Sequence, residues 1–140
     1  GGLLSEAWVG APPPDRPSNR SLVKYALMVE EFGGWAHFQD LLAVLDTVAK
    51  RRGADIGSIA ARVILDRPQV AGVIIGATSA RHLARHAALA GIVLDDDDMT
   101  AIDAVLARRL GPVGDVYGLE RDRAGPHGSI MKYQLNSVAG

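Results

Sequence analysis

Residues 70–76 read VAGVIIG, and the stretch runs on through ATSARHLARH to residue 86. The first part is short, rich in β-branched residues and almost uniformly apolar, the pattern of a strand buried on both faces. Gly76 ends it. The second part predicts a helix from about Ser79 to Ala90, with Arg81, His82, Arg85 and His86 on one arc at about 100° per residue. Leu83, Ala87 and Ala90 take the opposite side. A glycine admits a ligand close to the backbone, and the free N–H groups at a helix start attract anions. The same residues also describe a capped, solvated helix with no ligand at all.

The flanking sequence reads as helices. Phe38, Leu41, Leu42, Leu45, Val48 and Ala49 recur at helical spacing after Trp35, and Lys50, Arg51 and Arg52 crowd the end that a helix dipole makes negative. Gly53 stops that helix, and Asp55 caps the next, whose apolar face is Ile56, Ile59, Ala60, Val63 and Ile64. SLVKYALMVEEF (21–32) reads as a shorter helix ended by Gly33-Gly34. LDDDD opens a last one, with Asp95 as cap and Met99, Ile102, Val105, Leu106 and Leu110 along one side. Residues 11–20 hold four prolines and predict an extended surface segment. One apolar strand among amphipathic helices predicts an α/β fold with a parallel sheet. A single strand makes no sheet, so its neighbours must come from other copies or from sequence upstream.

Composition narrows the function classes. The 140 residues suit one domain, and a net charge of −1 gives no general attraction to nucleic acid or acidic membranes. No cysteine is present, which removes thiolate metal sites and thiol catalysis and is compatible with a reducing cytoplasm. No apolar run approaches the roughly 20 residues that cross a bilayer. His82 and His86 are four apart, but Leu-Ala-Arg between them lacks a glutamate and no third ligand is evident, so no metal site is expected. Asp95–Asp98 reads as helix capping, not as a cation site.

GGLLSEAW (1–8), DIGSIAARVIL (55–65) and VIIGATSARHL (73–83), in this order, resemble the C-terminal part of the aldo/keto reductases, and the tail GDVYGLERDRAGPHGSIMKYQLN (114–136) resembles a bacterial branch of that family. The resemblance implies the C-terminal part of a (β/α)8 TIM barrel, a fold of roughly twice this length. Residues 1–34 would form the loop after strand seven, 35–110 a helix/strand/helix core, and 111–140 the C-terminal tail. The implied activity is NADPH-dependent reduction of small aldehydes or ketones, with NADH as the alternative coenzyme. The family's catalytic Asp, Tyr, Lys and His have no counterpart here. Lys24, Tyr25, Lys132 and Tyr133 do not match them, so the chain alone is expected to be inactive. Matching positions assign cofactor contacts to Gly1, Leu3, Ser5, Arg20, Gly76, Thr78, Ser79, His82, Arg85 and His86. Arg85 and His86 stand where the family often has Glu and Asn, and Arg85 cannot accept the adenine amine as that Glu does. Ala7 stands where some relatives carry a lysine. Two further expectations follow: a non-catalytic nucleotide-sensing or interaction subunit with a similar barrel, and self-association through exposed strand edges.

Overall fold

The computed structural model describes residues 2–15, 20–76, 80 and 83–131. Its helices are α1 (Arg20–Phe32), α2 (Gly34–Arg52), α3 (Ile56–Leu65), α4 (Leu83–Ala88), α5 (Asp96–Leu106), α6 (Val116–Arg121) and α7 (Pro126–Ser129), with 3-10 turns at Glu6–Trp8 and Leu89–Gly91. α2 is the central element, in contact with α1, α3 and α5.

Local chemistry sets the helix ends. Gly53 takes a left-handed φ of 63° and its N–H reaches back to the Ala49 and Lys50 carbonyls, closing α2. Asp55 then opens α3 by accepting from the Ser58 amide at 3.1 Å. α5 begins with a reciprocal capping box. The Asp98 amide donates to Asp95 at 2.9 Å, and the Asp95 amide donates to the Asp98 carboxylate at 3.3 Å.

The apolar stripes meet as their spacing predicts. Leu42, Leu45, Val48 and Ala49 of α2 are buried against Ile56, Ile59 and Val63 of α3 and Ile102 of α5, and Val29 of α1 and Leu3 complete the cluster. Asp98 is completely buried beside this core, paired with Arg51 at 2.9 Å and with Arg52. That cluster ties the start of α5 to the end of α2. The backbone hydrogen bond from Asp98, followed by the Arg52 guanidinium, holds Asp95 below the ordinary carboxylate range.

The expected α/β fold, the C-terminal part of a TIM barrel, is overturned. The structure is helical, and no strand exists among the described residues. Residues 70–76 are non-helical, yet they belong to no ladder. Ile74 is fully exposed and Ile75 is exposed as well. The reason is physical. A helix satisfies its backbone groups internally, whereas a strand needs a neighbour to receive its N–H and C=O groups. VAGVII has the composition of a buried strand, and the described residues offer it no partner strand.

Smaller corrections follow the same logic. Ile64 is half-exposed and Leu110 mostly exposed, although both lie on predicted apolar faces. The tail, read as irregular, contains α6 and α7, which are anchored on α1. Lys24 of α1 pairs with Glu120, and the buried His127 meets Glu31 at 2.8 Å. Among the described residues, no helix is long and apolar enough to cross a membrane.

Candidate functional site

Three short segments converge at the amino end of α3: the turn at residues 5–8, the stretch from Gly53 through the first turn of α3 at Ser58, and α4. They enclose an open cavity of about 510 Å³ lined by Glu6, Gly53, Ala54, Asp55, Ser58, Arg85, Ala88 and Ile92. Each polar group is positioned by the backbone chemistry around it. Ser5 is extended and turns the chain, its Oγ donating to the Gly2 carbonyl at 3.0 Å. The turn delivers Glu6, whose carboxylate accepts from the Ile56 amide at 2.7 Å. Asp55 accepts from the Ser58 amide and, at 2.7 Å, from the Ser58 hydroxyl. Two carboxylates thus meet the free amides of the α3 amino terminus, where the helix dipole favours negative charge.

Arg85 brings the opposite charge. Its Nε lies 3.5 Å from Asp55 Oδ2, and its side chain is about half exposed (49%). The guanidinium therefore borders the cavity with donors still facing solvent. The set comprises one guanidinium, one hydroxyl and two carboxylates. It can hold an anion at Arg85 and accept from an amine at Glu6.

The structure treats the residues expected from sequence unequally. Arg85 lines the cavity, and Ser5 directly precedes Glu6, which also lines it. Leu3 is buried and lines a different, apolar cavity of about 470 Å³ with Tyr25, Met28, Val29, Phe32 and Phe38. Gly76 is exposed, and a Cβ on it would meet nothing within 4 Å. His86 sits beside Arg85 in α4 and is half-buried. Arg20 opens α1, its side chain outside the described set, and Gly1, Thr78, Ser79 and His82 lie outside the described residues altogether. Glu6 and Ser58 line the cavity without a signal in the sequence that singles them out, and Asp55 reads there only as a cap. The Glu6–Ile56 bond joins positions 50 apart, which no local pattern reveals. Among the described residues there is no group of three metal-ligating side chains.

Residues 1–107 match the family model described as Aldo/keto reductase family. This chain belongs to the aldo/keto reductase family. The match takes in every segment around the cavity, from the 5–8 turn to α4. No curated protein and no solved structure matches the chain. Aldo/keto reductase membership supports an oxidoreductase-type function. The family generally uses NAD(P)H and acts on small carbonyl substrates.

Proposed function

We propose that this chain is the C-terminal, cofactor-binding portion of an NADPH-dependent aldo/keto reductase and contributes no catalytic group. The observation that carries the reading is the meeting of Glu6 and Arg85 in one cavity. They come from two segments that resemblance links to the coenzyme, and nearly 80 residues of sequence separate them.

The residues present fit the adenosine end of a nicotinamide coenzyme. Arg85 would hold the 2′-phosphate through charge-assisted hydrogen bonds. The Glu6 carboxylate supplies the acceptor for an adenine amine that Arg85 itself cannot provide. The bound coenzyme supplies the hydride that converts an aldehyde or ketone carbonyl to an alcohol. The chain's own part is to grip and orient. Lys24 is paired with Glu120, which weighs against a proton-transfer role for it.

Titrating the purified 140-residue chain with NADPH tests the reading. Saturable binding is expected, weakened at least tenfold by Arg85→Ala, with no carbonyl reduction by the chain alone. Turnover by this chain, or binding that ignores Arg85, contradicts it. Binding without turnover by the complete protein would support the alternative of a nucleotide-sensing subunit. The exposed Ile74 and Ile75 favour a further element, self-association of the chain, which light scattering reads as mass above that of a monomer.

A further inference from the structure

We propose that Asp55 is a specificity-determining residue that restrains the preference for a 2′-phosphorylated coenzyme over its unphosphorylated counterpart. The inference rests on the assignment of the cavity to the adenosine end of the coenzyme and goes beyond it in naming what sets the choice.

Arg85 is the cation expected to meet the extra phosphate, and it already has a carboxylate neighbour, Asp55 Oδ2 at 3.5 Å. Asp55 is not free to withdraw when a second anion arrives. Its Oδ1 accepts from the Ser58 amide at 3.1 Å and its Oδ2 from the Ser58 hydroxyl at 2.7 Å, so the start of α3 fixes it in place. Glu6 is held just as firmly, by the Ile56 amide at 2.7 Å. Two anchored carboxylates therefore share the cavity with one guanidinium. A phosphomonoester brought to Arg85 gains one cation and meets standing negative charge. A ribose hydroxyl at the same place carries no charge and meets no such opposition.

The expected magnitude follows from exposure. An ion pair on a half-solvated arginine is screened. Removing the Asp55 charge should thus change phosphate affinity by roughly three- to tenfold, not by orders of magnitude. Asparagine caps a helix about as well as aspartate, so Asp55→Asn removes the charge while keeping α3 capped. Asp55→Ser is a second capping replacement that also lacks the charge.

The test measures equilibrium binding of adenosine 2′,5′-bisphosphate and adenosine 5′-monophosphate to the 140-residue chain and to both variants at low salt. Each variant is expected to bind the bisphosphate three- to tenfold more tightly and the monophosphate within twofold of the unaltered chain. Equal changes for both nucleotides, or no change for either, overturn the role of Asp55 while leaving the cofactor site standing. Failure of the unaltered chain to bind either nucleotide overturns the cofactor reading, and the inference with it.

Discussion

The α2–α3–α5 core and the segment from residue 70 to 91 share one apolar richness and differ in what they need. The core helices close their backbone hydrogen bonds within themselves and bury one stripe each, so Leu42, Val48, Ile56, Ile59 and Ile102 are almost wholly removed from water. Residues 70–76 are equally apolar, but they pair with no strand among the described residues, and Ile74, like Leu83 of α4, stays in solvent. An amphipathic helix carries half of its own solution, whereas a strand carries none of it. The proposed coenzyme contacts lie at the seam between the two regions, where α4 leans on the start of α3.

The sharpest way to break the comparison is to truncate one apolar side chain in each region. Leu42→Ala should lower stability by about 2–5 kcal/mol in urea denaturation, because a closed core cannot collapse around the gap. Ile74→Ala should stay within about 0.5 kcal/mol, since nothing packs on that side chain. Equal losses would mean that residues 70–76 are packed in solution.

A somewhat smaller effect is expected from the polar lock of the core. Asp98→Ala takes the buried carboxylate from Arg51 and Arg52, leaves Arg52 with Asp95 alone, and removes half of the α5 capping box, at a cost of about 1–3 kcal/mol. The same denaturation curve would read it, and a neutral outcome would show that the lock contributes nothing.

Acid sharpens the contrast further. Asp95 is held below the ordinary carboxylate range in the folded chain, so the unfolded chain binds the proton first as pH falls. Its contribution is therefore complete at neutral pH and lost as pH drops below about 4 through the depressed folded value. Thermal melts of Asp95→Asn against the unaltered chain should converge at low pH, and parallel curves would deny Asp95 that role. The smallest effect belongs to the site. Arg85→Ala should leave the melting temperature within about a degree, because its exposed pair with Asp55 adds little stability.

Much of the core was legible. Gly53 as a stop, Asp55 and Asp95 as caps, and the stripes of α2 and α3 all stand where local chemistry put them. VAGVII was read correctly as non-helical and wrongly as a sheet strand, because pairing depends on residues far away and not on the segment's own composition. Ile64 was assigned to the buried face of α3, but it ends in solvent near the last turn. The tail helices escaped notice because each is only four to six residues long, too short for a period to emerge. Their anchor, His127 on Glu31, spans 96 positions. Of the cavity-lining residues, Arg85 was singled out from sequence as a coenzyme contact, whereas Glu6 and Ser58 were not, since hydrogen bonds to a helix start reveal their partners only once the chain has folded.

The most direct test is amide hydrogen exchange of the 140-residue chain with and without saturating NADPH. Slower exchange confined to residues 5–8, 54–58 and 83–88 is the predicted result, with α5, α6 and α7 unchanged. Protection located along α5 or the tail helices, or no protection anywhere, would contradict a coenzyme seat at the start of α3.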